Sequence, residues 1–382
     1  MAKTLSLSAP PPFEYPVTVT QPLMPALSDY TALLEGVWSR RQLSNEGPLL
    51  LDLQRRLAKR LDAPNLRLVG SGTLALQIAI AALGLSGEVI TSAFTFPATP
   101  HAITWAGLTP VFADINLGLT LDPEAVERAI TPATTAILGV HVYGLPCDVL
   151  ALADIARRHG LRLIFDGAHA FDTRINGTSV TAFGDATALS LHATKLFHTG
   201  EGGAIVVADP AVTRRIDLLK NFGLSSAAIL LPGINAKMNE LEAGLGLLVL
   251  DRVEAERHGR AAILGVYCCR LAGIPGLRML RMAEGVLDSH QYAVVMIDPD
   301  LCTVSRDVLF DALQEFNIFT RRYFQTLCSE ALHYRELPSA HPSNLPNSYA
   351  AAAQVLCLPY YSELGVQGAD RVASIIRHIV DA

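Results

Sequence analysis

Between Leu66 and Val207 the chain repeats one pattern: a short, continuous apolar run, then a stretch with helical spacing of apolar positions. The runs are Leu66–Val69, Glu88–Thr91, Pro110–Asp114, Thr135–Val142, Leu161–Phe165, Ala186–Leu191 and Ala204–Val207. Runs of this length without polar alternation mark strands covered on both faces, as in parallel sheets. Such strands with helices between them predict one open, helix-covered α/β sheet, with its ligand site in the loops at the carboxyl ends of the strands. Upstream, the spacing is helical from Asp29 to Leu61, broken by the turn-forming Leu43-Ser44-Asn45-Glu46-Gly47-Pro48.

After about Asp251 the rhythm changes. A long helical stretch over Met238 to Cys269 is followed by a strand-like Gln291–Ile297, a helix around Arg306–Glu315 and a closing helix over Gly368–Ile379. The predicted organisation is a flexible lead-in over 1–16, rich in Pro, Ser and Ala, a large ligand-binding domain over 17–251, and a smaller α+β domain over 252–382.

Composition narrows the function classes. With 382 residues, half of them hydrophobic (50%), the chain can bury a large core. A net charge of −6 without a basic stripe argues against nucleic-acid binding. Met1 to Pro12 has one lysine and no long apolar core, so it does not read as a signal peptide. No apolar run approaches the roughly 18 residues that span a bilayer, and the expectation is a cytoplasmic protein. The six cysteines show no C-x-x-C pairing and are expected to be buried free thiols, and the eleven histidines show no metal-ligand spacing.

Two residues carry the chemistry. Asp166 closes one apolar run, and Lys195 follows another and precedes Gly200-Glu201-Gly202-Gly203. An acid and a lysine at the ends of neighbouring strands can face one ligand across the crest of a sheet. Pyridoxal phosphate needs such a pair, an amine for a Schiff base and a carboxylate to keep the pyridine nitrogen protonated. Taken singly, each has a plainer reading: Asp166 as a helix cap or metal ligand, Lys195 as a solvated lysine, and nearby His169 as a satisfied core histidine. Gly70-Ser71-Gly72-Thr73 follows a strand and opens a helix, which suits either a phosphate or an ordinary βα turn. Phe96, in the loop after another strand, suits ring stacking or core filling equally. His141-Val142-Tyr143-Gly144 ends a further strand and reads mainly as packing, with lining of the pocket as the alternative. Asn235 and Lys237 precede a long helix, as a cap and an exposed lysine or as a loop reaching a neighbouring subunit.

Together these segments, with Lys220-Asn221-Phe222-Gly223, Asn235 to Glu240 and Leu358-Pro359, resemble the DegT/StrS family of pyridoxal-phosphate-dependent aminotransferases acting on nucleotide-linked sugars. The likeness runs from about Val17 to the carboxyl end. It implies the aspartate-aminotransferase-like fold, type I of the pyridoxal-phosphate enzymes, in a homodimer with active sites at the interface. Lys195 matches the Schiff-base lysine and proton shuttle, Asp166 the partner of the pyridine nitrogen, and His169 the partner of the phenolic oxygen. Phe96 matches the stacking ring. Gly72, Thr73 and Ser190 match the phosphate cup, which Asn235 and Lys237 would reach from the other subunit. Relatives with histidine in place of the lysine remove a hydroxyl, so Lys195 argues for amination. Within the family the likeness is greatest to members that aminate dTDP-4-keto-6-deoxy-D-glucose to dTDP-4-amino-4,6-dideoxy-D-glucose with glutamate as donor. Amination of a 3-keto sugar or a cyclitol, or a non-catalytic regulatory role, are the alternatives.

Overall fold

Each predicted apolar run forms a strand, and the seven strands make one sheet. In chain order they are β1 (Arg67–Val69), β2 (Glu88–Ser92), β3 (Thr109–Ala113), β4 (Thr134–Val140), β5 (Arg162–Asp166), β6 (Ala186–Ser190) and β7 (Gly203–Val207). This computed structural model describes residues 10–381. The sheet order is β1-β7-β6-β5-β4-β2-β3. The pairs β2–β3, β2–β4, β4–β5 and β5–β6 are parallel, whereas β7 runs antiparallel to both β6 and β1.

The strands lack polar alternation because helices cover both faces. In β4, Ala136 and Leu138 join the core that contains Leu76 and Ile78 of helix Gly72–Leu83, while Ile137 joins the core with Leu152 and Ile155 of helix Val149–His159. The outer part of the second face is closed by helices Pro48–Arg60 and Glu240–Leu250, whose Leu53, Leu57 and Leu247 pack on Leu68, Leu189 and Val206.

A smaller α+β unit follows. Ala293–Ile297 lies between Leu277–Met279 and Val355–Leu358 in an antiparallel three-stranded sheet. Helices Val253–Arg270, Arg306–Glu315 and Gly365–Asp381 supply its core. Val17–Thr18 pairs in parallel with Ile318–Phe319, and Cys328, Tyr334 and Leu345 pack on Ala93 and Phe112.

Three expectations are revised. The helix foreseen over Met238 to Cys269 is two helices, divided at Asp251 and Arg252. Of the lead-in, residues 1–9 lie outside the described residues, and Arg371 Nη2 donates to the carbonyls of Pro11 and Pro12 at 2.8 and 2.7 Å. All six cysteines are free, but Cys269 is exposed and Cys268 and Cys302 are half-buried.

The crest of the sheet is held by close backbone approach. A Cβ on Gly203, at the start of β7, would meet the Ser71 carbonyl oxygen at 2.3 Å and the Gly72 nitrogen at 2.8 Å. Only a residue without a side chain lets β7 and the start of helix Gly72–Leu83 lie so close. Gly203→Ala is expected to cost about 1–3 kcal/mol of stability, read as a lower urea midpoint at unchanged slope. A midpoint equal to that of the native chain would contradict this account of the crest.

Candidate active site

Asp166 is the last residue of β5 and pairs in register with Ala188 of β6, the strand that leads into the Lys195 turn. The parallel pairing therefore brings the acid and the lysine to one end of the sheet. After Ser190 the chain turns back, with the Leu191 N–H donating to Gly202 O at 2.9 Å and the Lys195 N–H to His192 O at 2.9 Å. Beside them helix Gly72–Leu83 begins, capped by Ser71, whose Oγ accepts the Leu74 N–H at 3.1 Å. The first amides of a helix have no intrahelical acceptor, so its start presents N–H groups and positive potential. A Cβ on Gly72 would lie 2.8 Å from Ser190 Cβ, so the glycine lets this helix start abut the end of β6.

These elements enclose a cavity of about 290 Å³. Of the residues singled out in the sequence, Gly72, Thr73, Phe96, Asp166, His169, Ser190 and Lys195 all line it. Asn235 and Lys237 do not. Lys237 lies in a separate surface cluster, its Nζ donating to Asn221 Oδ1 at 2.8 Å, with Lys220 and Glu46 beside it. Phe96 is 57% exposed, which removes the core-filling reading, and it is Phe94, at 1%, that fills the core.

The electrostatics follow from burial. Asp166 Oδ1 accepts the Ala168 N–H at 3.0 Å and Oδ2 accepts the Thr99 hydroxyl at 2.7 Å. Burial pushes its pKa up, while those two bonds and the charge of Lys195 pull it down. Burial lowers the pKa of Lys195 to about 8, and the Asp166 charge opposes this. His169 is pushed well below the usual imidazole range by burial and by Lys195, so it is neutral near pH 7. Its Nδ1 accepts the Tyr143 N–H at 3.1 Å, which leaves the ring proton on Nε2.

Further residues complete the cavity, and of these only Tyr292 lies outside the segments that carry the family resemblance. Tyr292, Tyr323 and Phe324, from the C-terminal half, form a wall opposite the strand ends. The Tyr292 ring stands 5.1 Å from His169 and 5.5 Å from Tyr323. His192 and Glu201 also line the cavity, their side chains 3.7 Å apart. Thr99 is the other omission, because a threonine inside a helix carries no sign that its hydroxyl reaches a strand end 67 residues away.

Comparison with known proteins decides the family. The model of the DegT/DnrJ/EryC1/StrS aminotransferase family matches residues 28–377. The chain belongs to this family. The DegT/DnrJ/EryC1/StrS aminotransferases depend on pyridoxal phosphate, and the chain is accordingly an aminotransferase of the aspartate-aminotransferase-like fold. It is 39% identical over 368 residues to a dTDP-4-amino-4,6-dideoxy-D-glucose transaminase of Shigella dysenteriae, covering 96% of this chain and all (100%) of that one. A protein of the same name from Escherichia coli is 38% identical over 364 residues, covering 94% of this chain and 98% of the relative. Among solved structures, DesI in the presence of its TDP-sugar product is 37% identical with a TM-score of 0.93, covering 97% of this chain and 94% of that one. Among the described residues no helix is long and apolar enough to cross a membrane.

The depressed amine gives a direct test. In cofactor-free protein the acylation rate of Lys195, followed by peptide mass spectrometry, should rise with a midpoint near pH 8. Asp166→Asn should move that midpoint lower, because the carboxylate charge holds the amine protonated. A midpoint in the ordinary lysine range, or an upward shift in the variant, would contradict the assigned burial and pairing.

Proposed function

We propose that the cavity binds pyridoxal phosphate on Lys195 and uses it to aminate a nucleotide-linked keto-deoxysugar. The observation that carries this reading is the convergence of a buried acid, a lysine of lowered pKa and an open helix start on one cavity. The residues present fit the cofactor part by part. The N–H groups at the start of helix Gly72–Leu83, with the Thr73 and Ser190 hydroxyls, suit a phosphate dianion. Asp166 suits the pyridine nitrogen, the exposed ring of Phe96 suits stacking, and His169, with its proton on Nε2, suits the phenolic oxygen. Lys195 is left for the carbonyl carbon. When bound, the cofactor would supply an electron sink for the pair released as a C–H bond breaks beside the amine.

The chain's own groups then have defined tasks. Asp166, ionised against a cationic ring nitrogen, holds the proton at that nitrogen and so keeps the sink strong. Thr99 and the Ala168 N–H orient the carboxylate. Lys195 Nζ, with a pKa of about 8, is near the pH at which an amine both accepts and returns a proton. With the cofactor held by these residues, Lys195 would be the group placed to move the proton. The aromatic wall of Tyr292, Tyr323 and Phe324 excludes water from that transfer.

The relatives' names support dTDP-4-keto-6-deoxy-D-glucose as the sugar and dTDP-4-amino-4,6-dideoxy-D-glucose as the product. Glutamate is the proposed amino donor. The enzyme is proposed to be a cytoplasmic homodimer in which Asn235 and Lys237 of each subunit approach the phosphate end of the other's cavity. In support, both lie outside their own chain's cavity, in a segment whose Phe222, Leu224, Ile229, Leu230 and Ile234 are exposed. Several exposed apolar side chains in one segment suit a surface that a partner subunit covers.

The test is conversion of dTDP-4-keto-6-deoxy-D-glucose with glutamate, followed by product mass. Lys195→Ala should give a folded protein with no measurable turnover, and Asp166→Asn should lower kcat by ~10²–10³-fold while cofactor affinity changes far less. Turnover by the alanine variant would overturn the role of Lys195. A 3-keto sugar or cyclitol accepted in preference would move the substrate assignment.

A further inference from the structure

The strand foreseen at Gln291–Ile297 begins only at Ala293, leaving Gln291 and Tyr292 outside the ladder. Tyr292 turns into the cavity wall, whereas Gln291 is 2% exposed and points to the Lys195 turn. Its Oε1 accepts the Leu196 N–H at 2.9 Å, and its Nε2 donates to the Thr194 carbonyl at 2.9 Å. Those two backbone groups flank Lys195. One side-chain amide thus clamps the residues on both sides of the lysine.

The clamp is itself anchored. The carbonyl of the preceding His290 accepts from Arg260 Nη1 at 3.1 Å, and Arg260 Nε donates to Glu256 at 2.6 Å. His290 Nδ1 lies 2.7 Å from the Tyr360 hydroxyl. A leucine or methionine would fill the same space without the desolvation that a buried amide incurs. What only the amide provides is one acceptor and one donor in a fixed plane.

We propose that Gln291 is a positioning residue for Lys195, fixing the backbone from which the amine enters the cavity and tying it to the C-terminal half of the chain. Lys195 lines the cavity from between the two clamped backbone groups, so the aim of its amine depends on that backbone. The inference rests on Lys195 being the cofactor-carrying lysine. It adds that the lysine is aimed from outside its own turn, by a side chain that also places Tyr292.

The test uses the full chain with bound pyridoxal phosphate and two variants. Q291L keeps the bulk and loses both bonds, and Q291E keeps only the acceptor for Leu196. We expect the single-turnover rate with glutamate alone to fall by ~10–100-fold in Q291L, with its glutamate saturation constant changed less than about threefold. The pH midpoint of the visible cofactor band should shift in Q291L, and Q291E should fall between it and the native chain in both measures. A native rate and midpoint in folded Q291L would overturn the proposal. If Q291L does not fold, a native rate and midpoint in Q291E overturns it equally. A native chain that develops no visible band with pyridoxal phosphate would sink the reading of Lys195 beneath it, which is a different failure.

Discussion

A carboxylate and an amine buried together must be compensated, since the effective penalty for taking an ion out of water is several kcal/mol. The crest of this sheet is organised around that requirement. Asp166 is compensated by the Ala168 N–H, the Thr99 hydroxyl and the lysine charge. Lys195 has only the carboxylate to oppose its burial and settles near a pKa of 8. A lysine so placed is ready to give up its proton near neutral pH. The parallel pairing of β5 with β6 is what brings the two groups to the same edge.

The other features of the site follow from that edge. Parallel strands end together, so the helix start after β1 and the turns after β5 and β6 converge on one cavity. Two glycines make the convergence tight. Gly203 lets β7 return beneath Ser71, and Gly72 lets the helix start touch Ser190. Tyr143 joins the two halves of the wall, since its N–H fixes the His169 ring and its hydroxyl donates to the Tyr323 carbonyl. The cavity is therefore polar on the strand side and aromatic on the C-terminal side.

The sheet was readable because burial on both faces leaves an unbroken apolar run, and strand bounds were missed by only a residue or two. Asp166, Lys195 and the Gly72 turn could be singled out as candidates because each lies at the end of a strand or in the turn that follows one. The division at Asp251 and Arg252 could not. Both residues keep backbone angles close to helical, with φ of −67° and −107°, so neither a glycine nor a break in apolar spacing marks it. Tyr292 and Gln291 were hidden for another reason. Each lies at the edge of a strand-like run, and its role comes from contacts about a hundred residues away in the chain. Thr99 is the same case in a helix. Local pattern carries the scaffold and the ends of its strands, while the contacts made to Asp166 and to the Lys195 turn depend on distant packing.

Lys195 is the residue proposed to carry the cofactor. Borohydride reduction of the protein with pyridoxal phosphate, followed by peptide mass spectrometry, addresses it directly, because the chain has only Lys3, Lys59, Lys195, Lys220 and Lys237. One pyridoxyl group per chain is expected, on the peptide containing Lys195. Labelling of Lys220 or Lys237 instead, or of no lysine, would contradict it.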